Sequence, residues 1–372
     1  MSKRFNYLLI LSVVGCLAAP CVRAATNEAD LAQGDKNVYQ VQFKDWPDRF
    51  ENLLQAEPDA WDFRFRPYNA SEAAFLVSDP SVRRDAQAGK NVEKQRPTAF
   101  CFSCNEKGFT LVVFSCEPDM KEAMEKGASA PGNSLEVFFA PGDADQSKIE
   151  HYYQFILDQV KGELIDYPWL VEERGFRRMQ GYVSHETRPV PNGLMSRVFI
   201  PWELLFDRLP FTDKRDNFWR LSVIRWATGG GQTWGGVVHE ANRAGYIRWP
   251  DFTPEQKQAI YENVLNKAWG KYRAFLAKVD PTSVPDMKEP YARPPAGTRS
   301  YVNLQEDKVF VKDYLQPLID ERNALGKRIA GFRELPAAEK EQLYSQAGKL
   351  MNFNYDVDEA YARYLKEKIF KR

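Results

Sequence analysis

Between Trp61 and about Pro250, apolar residues recur at every second position or gather in short runs broken by turn residues. That is the signature of strands with one or both faces buried. Trp61-Asp-Phe-Arg-Phe-Arg66 alternates apolar with polar, and Thr98–Cys104 and Phe109–Ser115 flank Asn105-Glu-Lys-Gly108, a spacing that predicts a hairpin. Further strands are predicted at Ser134–Phe139, Tyr152–Leu157, Gly162–Asp166, Gly181–Ser184, Leu194–Ile200, Phe218–Trp226 and Gly245–Trp249. Short strands in series, with no helical stretches between them, argue against a doubly wound α/β fold. They predict a mainly β protein, an antiparallel β-sandwich of the jelly-roll or immunoglobulin-like kind.

The period changes at Thr253-Pro-Glu-Gln256. Thr253 is a helix cap, Pro254 suits the first turn, and Gln256 completes a capping box. Ile260, Val264, Leu265, Trp269, Tyr272 and Leu276 then recur at helical spacing up to Asp280-Pro281. Residues 280–300 carry repeated prolines and read as an extended linker, after which helical patterns resume over about 305–331, 337–351 and 356–370. The chain thus divides into a sandwich over 38–252 and an α-helical C-terminal extension over 253–372. The extension is either a cap on the sandwich or a module for a protein partner.

The first 24 residues have another character. Lys3 and Arg4 precede an apolar run, Tyr7–Val14, and small residues lead to Val22-Arg23-Ala24 before a polar stretch. This is the order of a secretory signal peptide; the run fits the roughly 7–15 residues of a signal core and falls short of the ~20 that span a bilayer. Val13-Val-Gly-Cys16 also has the shape of a lipobox, which would place a lipid anchor on Cys16. No later segment approaches a transmembrane span. The expected destination is therefore exported: periplasmic, extracellular or lipid-anchored to the envelope.

Fifty-one basic residues balance fifty-one acidic ones, so charge gives no reason to expect a nucleic acid partner. Beyond the signal the cysteines are Cys101, Cys104 and Cys116. Cys101 and Cys104 fall three apart on a strand, where side chains point to opposite faces, so the two thiols are not expected to meet.

Several central motifs resemble the family 9 carbohydrate-binding modules, over about residues 98–250. They are Asn133–Pro141, Tyr152–Asp166 with Gly162 at its turn, Met195–Leu205 with its Ile200-Pro-Trp stop, Phe218–Arg225 and Gly245–Trp249, in the family's order. The resemblance implies a non-catalytic β-sandwich that binds an oligo- or polysaccharide, in support of carbohydrate catabolism. In that family two tryptophans clamp a sugar; here Ser115–Gly127, where one would fall, holds no aromatic residue.

The most suggestive loop is Gly229-Gly-Gly-Gln-Thr-Trp-Gly-Gly-Val-Val-His239. Trp234 offers a ring to stack on a sugar, Gln232 and His239 can bond hydroxyls, and Glu240, Asn242 and Arg243 add planar polar groups. The alternative is a mobile hairpin whose Trp234 packs on the sandwich edge. Tyr167, Trp169 and Arg174 form a second aromatic and polar group. Asp143 and Asp145 are candidate ligands for a structural Ca2+, a hard ion that prefers carboxylates; no other cofactor is indicated. Arg220 and Arg225, five apart on one strand, are expected on opposite faces. The chain has no Gly-x-Ser-x-Gly elbow and no His-Glu-x-x-His. An enzyme is thus the less favoured reading; it would be a hydrolase of O-glycosyl bonds using carboxylates such as Glu136 and Glu203.

Overall fold

A computed structural model describes residues 38–44, 74–75, 77–78, 98–116, 133–141, 152–167, 182–190, 193–211, 218–227, 230–235, 244–278 and 308–370. Among these residues, fourteen strands form two sheets. The eight-stranded sheet runs β1 (Val38–Gln40), β14 (Gly245–Arg248), β12 (Phe218–Ala227), β7 (Asn133–Ala140), β8 (Tyr153–Asp158) and β9 (Glu163–Tyr167). On it, β13 (Gly230–Trp234) also pairs with β12, and β4 (Val77–Ser78) with β13. The six-stranded sheet runs β10 (Ser184–Val190), β11 (Gly193–Pro201), β6 (Gly108–Cys116), β5 (Thr98–Cys104) and β2 (Gln42–Phe43), with β3 (Ala74–Phe75) also on β5.

The sandwich read from the sequence is therefore present, with one difference. It is mixed rather than wholly antiparallel: β1 lies parallel to β14 and β2 parallel to β5. A single extended segment makes both pairings, changing sheets at Val41, which is 1% exposed. This corner ties the two layers through the backbone as well as through side chains. Tyr39 locks it, its ring inside and its phenol oxygen accepting the Phe102 N–H at 2.9 Å.

Alternation decides which residues meet between the sheets. Leu135, Val137 and Phe139 of β7, Phe155 and Leu157 of β8, and Trp219, Leu221 and Val223 of β12 face Phe100, Phe102, Phe109, Leu111 and Val113. Phe109 sits at the centre, its ring 5.3 to 6.1 Å from those of Trp202, Trp249, Phe139 and Trp219. Such edge-on and tilted pairs add about 0.5–1.5 kcal/mol each beyond the area they bury. Cys104 shares this interior whereas Cys101 lies on the other side of β5, and neither is in a disulfide. Burial pushes the Cys104 thiol far up, which keeps it protonated.

The helices follow the predicted pattern closely. α1 (Pro254–Lys278) opens with the capping box: Thr253 N–H donates to Gln256 Oε1 at 2.9 Å, and Gln256 N–H donates to Thr253 Oγ1 at 3.3 Å. α2 starts at Lys308–Phe310, passes a π-helical turn at Val311–Leu315 and continues through Gln316–Ala330. α3 (Ala337–Tyr344), α4 (Ala347–Met351) and α5 (Phe353–Phe370) complete the unit. Its core is continuous with the sandwich core. One apolar cluster runs from Trp202, Leu205 and Phe206, through Ile260 and Tyr261 of α1, to Leu343, Leu350 and Phe353. Tyr344 seals the junction by donating its hydroxyl to the Phe206 carbonyl while its ring lies 4.1 Å from that of Tyr261. Among the described residues, no helix is long and apolar enough to cross a membrane.

Candidate functional site: a tryptophan-bearing sheet face

The structure separates the residues of the glycine-rich loop. Gly230–Trp234 is not a loop but strand β13, in register with β12 so that Val223 faces Trp234 and Arg225 faces Gln232. Trp234 turns inward and is 6% exposed. Its ring meets Phe100 edge-on at 5.3 Å and Tyr39 at 6.3 Å. Those contacts take up the surfaces a sugar would need, so Trp234 is a ring of the core cluster on a paired strand, neither a sugar platform nor part of a mobile edge hairpin. The reason is register: β13 pairs as a strand, and alternation sends Trp234 the same way as Val223. Gly235 then turns the chain at φ +83°, where an added Cβ would run into the Leu221 carbonyl oxygen.

Of the other expected site residues, Gln232 and Tyr167 are described in their backbone only, on β13 and β9. His239, Glu240, Asn242, Arg243, Trp169, Arg174, Asp143 and Asp145 lie outside the described residues, as do Trp61–Arg66 and the linker over 280–300. The two arginines of β12 do face opposite ways. Arg225 lies between the sheets and donates to Thr98 Oγ1 at 3.0 Å. Arg220, on the outer face, donates to the Ala244 carbonyl at 3.0 Å and stacks on Tyr246 at 4.0 Å.

That outer face of the eight-stranded sheet carries the chemistry. Opposite to the core set, β12 presents Phe218, Arg220, Ser222, Ile224 and Trp226, and β7 presents Ser134, Glu136, Phe138 and Ala140. The face is closed at one end and open at the other. Arg220, Ser222 and Ile224 are fully buried, whereas Trp226, Ser134, Asp158 and Ile156 are partly exposed and Ile165 is 49% exposed.

Glu136 organises the open end. Although 3% exposed, its carboxylate accepts two hydrogen bonds: Gln154 Nε2 donates to Oε1 at 2.6 Å and Trp226 Nε1 donates to Oε2 at 2.7 Å. A buried carboxylate is costly unless satisfied in this way. Burial first, and the Glu136 charge second, push the nearby Tyr152 phenol up. Gln154 Oε1 is itself buried, with no hydrogen-bond partner among the described residues. The indole of Trp226 thus reaches diagonally across the sheet and is held by three strands. Its cross-strand neighbours are Gly231 on one side and Ser134 on the other, with Asp158 beyond Ser134. Asp158 is fixed in turn, its Oδ1 accepting the Val160 and Lys161 N–H groups at 3.0 and 2.9 Å.

The strand Phe218–Trp226 was visible in the sequence, yet Trp226 was not singled out there. Its even spacing from Phe218 is the one signal readable in the sequence; the small residues beside it appear only once the pairing is known. The hydrolytic pair does not form. Glu136 lies towards the Thr98 end of the sandwich, and Glu203 on the 3-10 turn Trp202–Leu205 beyond the other end. There burial raises the Glu203 carboxyl, against the lowering pull of Lys271 and Lys267 of α1.

Fold and face together define a two-sheet sandwich that presents a fixed aromatic ring among hydroxyl, amide and carboxylate groups, closed at its far end by helices. No protein-family model matches the chain, and no curated relative does. Among solved structures it is similar to a family 9 carbohydrate-binding module from Caldicellulosiruptor kristjanssonii in complex with glucose. That match has 8% identity and a TM-score of 0.36 over 58% of this chain and 97% of the other. The same organism's family 9 module in complex with cellotriose matches at 9% identity and TM-score 0.35, over 58% and 95%. A protein from Bacteroides uniformis assigned to carbohydrate binding matches at 12% identity and TM-score 0.36, over 58% and 100%. Superpositions this loose leave the site to be argued from the chain's own residues.

Proposed function

We propose that this protein binds carbohydrate without transforming it, on the open end of the eight-stranded sheet. The observation that carries the reading is the Trp226 ring, its N–H bonded at 2.7 Å to the buried carboxylate of Glu136. A sugar ring has an apolar face of C–H groups and a rim of hydroxyls. It needs a rigid aromatic plane and polar groups of both senses around it. Trp226 supplies the plane, Ser134 a donor and acceptor, and Asp158 an acceptor. Because Glu136 and Gln154 hold the indole before any ligand arrives, little side-chain freedom is lost on binding.

The signal-like first 24 residues and the sequence resemblance to family 9 modules support a role outside the cytoplasm, in capture of oligo- or polysaccharide for breakdown. A structural Ca2+ at Asp143 and Asp145 belongs to the same reading and is tested by the effect of chelator on the melting temperature. The function itself is tested on a panel of soluble oligosaccharides by titration calorimetry, with reducing-sugar release assayed in parallel. Binding without release supports the proposal; release by the pure protein would overturn its non-catalytic half.

A further inference from the structure

The outer end of the helical unit carries a surface that saccharide binding does not use. There the first turn of α2 lies beside the last turns of α5: the Phe310 ring is 5.0 Å from that of Tyr361 and 5.6 Å from that of Tyr364. Three large apolar side chains point into solvent at this tip, Val309 at 54%, Ile369 at 68% and Phe370 at 79% exposure. Among the described residues the one other large hydrophobic so exposed is Ile165. Placing such side chains in water is unfavourable, and a soluble protein that gathers them on one tip has a contact for them.

The charges around the tip say what that contact is. Among the described residues, Lys308, Lys312, Arg363, Lys366 and Lys368 are exposed there, against two carboxylates, Asp313 and Glu367. Glu367 is engaged within the fold, its Oε2 accepting the Tyr314 hydroxyl at 2.7 Å, and two of the cations are engaged as well: Lys368 Nζ donates to the Tyr364 hydroxyl at 3.0 Å and Arg363 lies over the Tyr314 ring at 5.6 Å. The chain as a whole is balanced at 51 against 51, so this excess is local. A groove of about 700 Å³ opens between the two helices beside Val309, lined by Asp313, Tyr314, Arg363, Tyr364, Glu367 and Lys368. Tyrosines with cations around protruding aliphatic and aromatic tips are the composition of an element that rests in a bilayer interface. A second copy of this chain would bring the same cations against each other, which disfavours a self-contact.

We propose that this tip docks on an anionic membrane surface, Val309, Ile369 and Phe370 entering the headgroup region and Lys308, Lys312 and Lys366 meeting lipid phosphates. The docking is independent of the saccharide site, which lies on the sandwich.

The test is co-sedimentation with vesicles, using a chain that begins at Ala25; this keeps every described residue and removes Cys16, so no acyl group contributes. Vesicles of phosphatidylcholine alone are compared with vesicles containing about one-third phosphatidylglycerol. Binding to the anionic vesicles is expected to exceed that to neutral ones by ~10-fold or more and to fall on raising salt towards ~0.5 M. The double variant Ile369→Ser, Phe370→Ser and the double variant Lys312→Glu, Lys366→Glu should each lose ~10-fold, with unchanged melting temperature because the side chains are exposed. Equal binding to both vesicle types, binding that survives both double variants, or a tip-dependent dimer without vesicle binding would each overturn the proposal.

Discussion

Replacing Trp234 by alanine separates a core ring from a ligand ring. The residue ends β13, is 6% exposed, and lies edge-on to Phe100 and Tyr39 at 5.3 and 6.3 Å. Gly245 stands directly behind it: a Cβ there would come within 3.0 Å of the indole, so nothing is free to move in and fill the gap. For truncation of a fully buried tryptophan the cost is about 3–5 kcal/mol, the cavity included. In a fold of this size each kcal/mol lowers the melting temperature by roughly 2–4 °C, so Trp234→Ala should melt roughly 10 °C lower. The protein should remain folded at 20 °C if its total stability lies within the usual ~5–15 kcal/mol. Thermal unfolding followed by circular dichroism gives the shift, and saccharide titration well below the transition gives the affinity. The core assignment requires a large drop in melting temperature with affinity of the folded protein kept within about threefold. A melting temperature within ~2 °C of the parent, together with ~10-fold weaker saccharide binding, would refute it.

Other perturbations probe the junction between sandwich and helices. Tyr344→Phe removes the hydroxyl that bonds the buried Phe206 carbonyl; it should cost about 1–2 kcal/mol in urea unfolding while keeping a single transition, and two separated transitions would contradict the continuous core. Burial holds the Glu203 carboxyl above the ordinary carboxylate range. A carboxyl whose folded value is raised destabilises the folded state once the pH passes its unfolded value, so Glu203→Gln should stabilise at neutral pH. That gain should fade as pH falls below the ordinary carboxylate range, and melting temperatures from pH 3 to 8 that differ by a constant amount would contradict it.

How far the sequence reaches depends on which force decides each element. Strands with an apolar period were readable almost to the residue: Phe218–Trp226 became Phe218–Ala227, and the Asn105–Gly108 turn joins β5 to β6 as expected. The capping box placed the start of α1 for the same reason, since its cause is local. β10 was read too early, at Gly181–Ser184, because Ser184–Val190 is an edge strand that places His185, Thr187 and Pro189 on its inner side and shows no apolar alternation. β13 was hidden by its glycines, which mimic a ligand loop until pairing with β12 is known. That pairing, a contact between distant parts of the chain, is also what sent Trp234 inward and set Glu136 beside Trp226. Composition identifies tryptophan as a possible sugar platform; only register says which one faces out.

The binding site therefore turns on one ring and one carboxylate. Titration calorimetry of the parent protein and of Trp226→Ala, each with the tightest-binding oligosaccharide from the panel, tests this most directly. Trp226 is half-buried on the sheet face, so the variant should stay folded while its affinity falls by ~10-fold or more, and Glu136→Gln should weaken binding less because the amide oxygen still accepts the indole N–H. Parent and Trp226→Ala proteins with equal affinity for that saccharide would contradict the account.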